Sequence, residues 1–360
     1  MDISNLIENV DQQIIKIRTK SLDVSFNELY DMYQNGELTI SPDYQRLFRW
    51  GDEKQSRFIE SLILEMPVPP IFVIETEEGI YELIDGLQRI SSYLHFRGEI
   101  GNTKDSFLRL SGCDIVDSLN GNTFNDLPKA LQIKLKRSFV RMEVIKKESE
   151  SSLKYHMFKR LNTGGELLSA QEIRNCTLRL LGSEAVDFID ECSKNADFKQ
   201  VISQIGEDKF STRYDQELVL RFFATKNDLS NYRYPVTEYL TRYLEDITTK
   251  EKPFNYTIER GIFERTFKFI NENWQENALA GKSNAGNYKN EFVLYLFDGI
   301  AVSVATLIDK INESNKGKIV EKINKIKFGE EIKSYKTGSV TGINTRIKLF
   351  IEGMEQVIDA

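Results

Sequence analysis

Histidine is nearly absent: the 360 residues hold two, His95 and His156. No His-Glu-x-x-His pair exists, so a zinc protease has no ligand set to start from. Cysteine is scarce too. Cys113, Cys176 and Cys192 form no Cys-x-x-Cys spacing, and an odd count fits a reducing compartment better than a disulfide framework. No apolar run approaches the roughly 18 residues of a membrane helix. Met1 to Val10 lacks a basic stretch followed by an apolar core, so no secretory signal is expected. These absences lead to the expectation of a cytoplasmic protein without membrane partners. There is no Gly-x-Ser-x-Gly elbow, no internal repeat and no long low-complexity segment. Positive charge is not in surplus: the net charge of −7 argues against a uniformly basic nucleic-acid coat, though not against a local basic patch.

What is present is an ordinary globular mixture, 40% hydrophobic and 29% charged, with material for about two domains. Residues 1–20 read as a short helix or arm. Ser25 can cap a helix from Phe26 to about Asn35, with Glu28 at the capping-box position and Gly36 as the stop. A short extended piece, Leu38 to Ile40, leads into a polar-aromatic loop from Pro42 to Trp50. Asp52 opens a helix with Phe58, Ile59, Leu62 and Ile63 inward. Ile71–Glu75 and Ile80–Ile84 form a hairpin around Glu77-Glu78-Gly79. Residues 98–127 read as loops and short strands. A helix follows Pro128, then a strand from Phe139 to Lys146, then a helix from Ser151 that stops at Asn162-Thr163-Gly164-Gly165. Ser169 and Glu172 make a capping box. Helical patterns dominate afterwards, so the expected domains are 1–180, mixed α+β, and 181–360, all helical.

The chain is organised around Glu82 to Ile90. The apolar run Ile80–Ile84 ends at Asp85-Gly86, and Leu87, Ile90 and Leu94 then fall on one helical face. A strand, a one-residue hinge and a helix leave backbone N–H groups at a helix start, which favours an anion. Gly86 permits close approach to the backbone, and Arg89 matches phosphate geometry. The reading is a phosphate-handling site, with Asp85, Gln88 and Arg89 as candidate catalytic residues and Asp85 as the candidate metal ligand, directly or through water. Two other clusters supply further candidate nucleotide contacts: Tyr44 and Arg46 beside Trp50, and Asn162, Thr163 and Gly164. If the three clusters converge, they would hold a nucleoside triphosphate with Mg²⁺.

The combination of Tyr44-Gln45-Arg46 with Trp50, Asp85-Gly86-Leu87-Gln88-Arg89, Leu119 to Pro128, and Phe158 to Gly165 followed by Leu168-Ser169 resembles the N-terminal domain of GmrSD-type restriction endonucleases. The resemblance covers roughly residues 21–182. It implies a ParB/sulfiredoxin-like fold, nucleotide binding and often NTP hydrolysis, in bacterial defence against phage or modified DNA. The family's hallmark is Asp-Gly-Gln-Gln-Arg. Here Leu87 replaces the first Gln, a departure that bears on hydrolysis rather than on fold. Many relatives carry a second, His-dependent nuclease domain, and residues 183–360 contain no histidine to build one.

The second half has one distinctive stretch. Residues 315–348 contain nine Lys or Arg against three Glu. Lys316, Lys318 and Lys336 are therefore candidate contacts to a nucleic-acid backbone. Two weaker patterns are set aside. Gly281-Lys282-Ser283 lacks the leading Gly and strand of a phosphate loop, and Asp43 with Asp52-Glu53-Lys54 opens a helix where a metal nuclease would use a strand. The leading expectation is a Mg²⁺-dependent NTPase acting as sensor or regulatory component of a restriction system, with DNA, a partner nuclease or a second copy as partners. The alternatives are a non-enzymatic DNA-binding or partner-binding module of the same fold, and a metal nuclease.

Overall fold

The computed structural model describes residues 8, 10, 18–45, 48–99, 107–149, 151–162, 169–281, 288–289, 291–335 and 338–360, and at 42–43, 151–153, 158–159, 162 and 333 the backbone alone. The chain divides into two compact units, Met1–Leu168 and Ser169–Ala360. The expected limits at residue 180 differ from this division by one helix, Ala170–Leu178, which packs within the second unit.

The first unit is built on a mixed five-stranded sheet. Its elements are β1 (Thr19–Ser25), α1 (Phe26–Gln34), β2 (Leu38–Thr39), α2 (Pro42–Gln45), α3 (Asp52–Ile63), β3 (Ile71–Glu77), β4 (Ile80–Asp85), α4 (Leu87–Phe96), α5 (Lys129–Arg137), β5 (Phe139–Ile145) and α6 (Ser151–Asn162). The strand order is β1-β5-β3-β4-β2. β1 runs antiparallel to β5, β5 parallel to β3, β3 antiparallel to β4, and β4 parallel to β2. Along β5, Val140, Met142 and Val144 are buried while Phe139 and Arg141 are exposed, so one face carries the core. Phe26, Leu29, Phe58, Ile59, Leu87, Ile90 and Leu94 bring helices into that core.

Local chemistry sets the element ends. Ser25 accepts the N–H of Glu28 at 3.1 Å, capping α1. Residues 98–127 differ from the expectation: their described part holds two 3₁₀ turns, Asp117–Leu119 and Phe124–Asp126, and no strand. The reason is a buried carboxylate. Glu60 on α3 accepts the N–H groups of Asp114, Ile115 and Val116 at 3.3, 3.1 and 2.7 Å. The backbone here is satisfied by a side chain, so it needs no sheet partner. β1 also departs from the arm expected over residues 1–20. It is an edge strand that pairs in register with β5, from Thr19↔Ile145 to Ser25↔Phe139.

The second unit is helical, with no strand among its described residues: α7 (Ala170–Leu178), α8 (Glu184–Ser193), α9 (Ala196–Val201), α10 (Glu207–Ser211), α11 (Tyr214–Asp228), α12 (Val236–Thr248), α13 (Tyr256–Trp274), α14 (Leu294–Leu307), α15 (Lys316–Lys327), α16 (Glu330–Lys333) and α17 (Val340–Ile358). Ser169 and Glu172 form the expected capping box on α7. Phenylalanines 198, 222, 223, 263, 267 and 297 fill the core. Within it Asp298, fully buried, is gripped by two arginines. Arg221 donates Nε–H and Nη2–H at 2.5 and 2.8 Å, and Arg346 donates Nη2–H at 2.5 Å. This ties α11, α14 and α17 together. Asp298→Ala leaves both guanidinium groups buried without their carboxylate, and a loss of about 3–5 kcal/mol is expected. Denaturant melts of variant and wild type check it. A loss under about 1 kcal/mol, the size of an exposed pair, would show that the cluster carries little of the unit's stability.

Candidate functional site

β4 ends at Asp85 and α4 starts at Leu87, so the chain turns from strand to helix through Gly86 alone. Gly86 has φ 105° and ψ 9°, a conformation L side chains rarely adopt. A Cβ there would also lie 2.5 Å from Ile71 Cγ2. The turn is thus fixed twice, by dihedral angle and by contact with β3. Leu87 follows at 3% exposure and anchors the helix in the core. The N-cap residue of α4 is Gly86, which has no side chain to cap the first amides. The first amides of any helix have no intrahelical acceptor, and here they carry the positive end of its dipole.

Arg89 folds back over this corner. Its Nη2 donates to Asp85 Oδ2 and to the Pro70 carbonyl, each at 3.0 Å. The pair is mostly buried, with side-chain exposures of 16% for Arg89 and 32% for Asp85. Gln88 reaches sideways: its Oε1 accepts the N–H of Arg49 at 3.0 Å and of Trp50 at 3.1 Å. Trp50 is held from the other side by Gln55, whose Nε2 donates to the Trp50 carbonyl at 2.6 Å. His95 Nδ1 lies 2.8 Å from Gln55 Oε1. Burial lowers the His95 pKa below its ordinary value, which suits a supporting hydrogen-bond partner. Tyr44 is buried and donates its hydroxyl to the Ile84 carbonyl at 3.0 Å. The two described sequence clusters are therefore joined by two links: Tyr44 to the Ile84 carbonyl, one residue before Asp85, and the Trp50 amide to Gln88.

Two buried donors in this assembly, Arg89 Nε and Trp50 Nε1, have no acceptor among the described residues. Lys54 places its ammonium 5.1 Å from the centre of the Trp50 ring. Asp85 is a single carboxylate already engaged by Arg89. Among the described residues no three His, Cys, Asp or Glu are grouped to hold a metal ion. The described residues therefore do not form a metal cage built by the protein.

Of the remaining predicted residues, Arg46, Thr163, Gly164 and Lys336 lie outside the described residues, and Asn162 ends α6 with its side chain undescribed. The helix α6 itself packs on β4. His156 is exposed on α6 beside the Tyr155 ring. Gln55 and His95 belong to the supporting network and gave no signal as a pair, because forty positions separate them. In the second unit Lys318 is exposed and Lys316 pairs with Glu272 at 3.1 Å. Two of the nine counted cations are core groups. Lys327 donates to the Asn277 and Ala278 carbonyls at 2.6 and 2.7 Å, and Arg346 holds Asp298. The basic stretch is therefore less of a surface than its composition implies.

Two outcomes follow from this geometry. Gly86→Ala should cost about 1–3 kcal/mol through backbone strain, read as a shift in the unfolding midpoint. An unchanged midpoint would mean the corner relaxes freely. Glu82 on β4 is desolvated, which raises its carboxyl pKa. A raised folded-state pKa means its stability contribution is largest below the ordinary Glu range and falls as pH rises through the folded value. Glu82→Gln should therefore stabilise the protein at pH 7, with the gain shrinking toward acid. Melts showing an equal gain at every pH would contradict this.

No curated protein and no solved structure matches the chain. A family model does match: GmrSD restriction endonuclease, N-terminal domain, over residues 26–179. The matched stretch runs from α1 through the strand-to-helix corner to the end of α7. Residues 26–179 thus belong to the GmrSD restriction endonuclease N-terminal domain family.

Proposed function

We propose that the β4–α4 corner binds a nucleoside triphosphate with Mg²⁺ and hydrolyses it, and that the chain is a cytoplasmic sensor or regulatory component of a system restricting phage or modified DNA. The observation that carries this reading is the pair of buried donors without acceptors among the described residues, Arg89 Nε and Trp50 Nε1, near a helix start whose cap is a glycine. An acceptor-rich ligand answers both. In this reading the first amides of α4 take phosphate oxygens, and Arg89 neutralises charge. Asp85 orients Arg89 and is the one carboxylate of the corner pair open to a metal-bound water. Gln88 acts as a positioning residue, since its Oε1 is committed to the amides of residues 49 and 50. Arg46, Asn162, Thr163 and Gly164 are proposed as further contacts. When bound, the metal supplies charge neutralisation on the phosphate oxygens.

A restriction system implies DNA or a partner nuclease, and both are proposed as partners, together with a second copy of the chain. Lys316, Lys318 and Lys336 are the proposed DNA contacts. Among the described residues no helix is long and apolar enough to cross a membrane. A second reading is favoured by Leu87. It packs in the core where the family hallmark has an amide, so the fold is kept while one polar group is lost from the corner. In that reading the domain binds ligand, DNA or a partner without turnover.

Phosphate release from ATP, GTP, CTP and UTP with Mg²⁺ separates the two. Turnover that falls about 100-fold or more in Arg89→Ala, the scale of losing a charge-stabilising group, is expected. Absence of turnover with all four nucleotides would overturn hydrolysis and leave the binding-module reading.

A further inference from the structure

A groove of about 790 Å³ lies between the end of α3, the helix α5 and the start of β5. It shares no residue with the β4–α4 corner. Met66, Ile133 and Phe139 line it, and all three are exposed, Phe139 at 68%. Ten large hydrophobic residues are exposed among those described, so three of them meet in one groove. Clustering of this kind marks an interaction site more often than scattered single residues do. Buried Leu62 and Val140 make the floor apolar as well.

The rim is basic. Three cations line it, Lys134 and Arg137 of α5 and Arg141 of β5, against two acids, Asp23 and Glu65, inside a unit whose acidic residues outnumber its basic ones. Lys134 pairs with Glu65 at 3.5 Å and Arg141 with Asp23 at 3.2 Å. Arg137 lines the groove with no acidic partner among the described residues. The surplus charge of the rim is therefore positive. We propose that this groove docks an acidic amphipathic segment of a partner protein. Its apolar side chains sit on Met66, Ile133 and Phe139, and its carboxylates meet Arg137 and Lys134. This is the helix-in-groove or strand-in-groove mode with complementary charge at the edge. Duplex DNA is disfavoured because its backbone offers phosphate and sugar, which leave the apolar floor unused. A symmetric pair of copies is disfavoured because a two-fold interface would set each basic rim against itself.

The full chain is titrated into a short fluorescein-labelled helical peptide with Leu and Phe on one face and Glu on the other, read by fluorescence anisotropy. Two control peptides replace Glu with Lys, or Leu and Phe with Ser. The acidic peptide should bind, with both controls weaker by about tenfold or more. Phe139→Asp and Ile133→Asp should each weaken binding by a similar factor. Arg137→Glu, at a rim position that the fold does not need, should do so while circular dichroism stays unchanged. Three results would overturn the proposal: no binding of the acidic peptide, equal binding of acidic and basic peptides, or binding unaffected by all three substitutions. Displacement of the peptide by duplex DNA would reassign the groove to nucleic acid. Self-association in sedimentation that Phe139→Asp abolishes would reassign it to a second copy.

Discussion

A side chain at residue 86 would collide with Ile71, and the rest of the first unit's candidate site depends on that missing side chain. Gly86 brings β4 so close to β3 that the helix must start immediately. The close approach also aligns the Pro70 carbonyl with Asp85, so that one nitrogen of Arg89 bonds both. Gln88, one position before Arg89, then faces the 48–50 segment and holds it by two amides. One turn of backbone thus sets a cation, a carboxylate and a helix start at a common corner and ties the Trp50 backbone to it. The stiffness of this arrangement is what ligand binding requires, since groups held by packing and by further hydrogen bonds need little ordering when a ligand arrives.

The second unit follows a different rule. Its helices carry buried charge in place of a purely apolar interior. Asp298 between Arg221 and Arg346 leaves a net positive charge in the core. Arg174, almost fully buried, binds Glu217, Gln171, Thr241 and the Thr237 carbonyl, joining α7 to α11 and α12. Such networks fix which helix faces meet, because a mispacked alternative would strand a charge away from water. Lys327 serves similarly by binding the carbonyls at the end of a 3₁₀ turn, Gln275–Asn277, beside the rings of Tyr288 and Phe328.

Much of the first unit was legible because its signals are local. Ser25, Gly36, the hairpin at Glu77–Gly79 and the Asp85-Gly86 hinge each specify a few consecutive dihedrals. The mixed α+β class and the helical second half followed from those. What escaped is long-range pairing. β1 has the polar pattern of an edge strand and gains its identity from β5, more than a hundred residues away. Glu60 reads as a surface acid on a helix until three amides of a distant loop point at it. At the corner, Asp85, Gly86 and Arg89 were readable from the strand-hinge-helix pattern and from the family resemblance. Gln88 was readable as a residue of the corner, but its bond to the 48–50 segment was not, since nothing in spacing links them. Arg346 and Lys327 were counted with a basic surface because charged residues are usually exposed, and here α17 carries Arg346 in against Asp298 of α14, and α15 carries Lys327 in against the turn at residues 275–278.

The most direct test of the central claim uses the indole at the corner. The chain has two tryptophans, Trp50 and Trp274, so Trp274→Phe leaves Trp50 as the only reporter. A non-hydrolysable nucleoside triphosphate with Mg²⁺ is titrated while Trp50 emission is followed, with radiolabelled nucleotide retained on a filter as an independent measure of binding. A saturable emission change that matches the filter curve, and that Arg89→Ala abolishes, is the predicted result. Nucleotide that binds without altering Trp50, or that binds equally well without Arg89, would contradict a site at the β4–α4 corner.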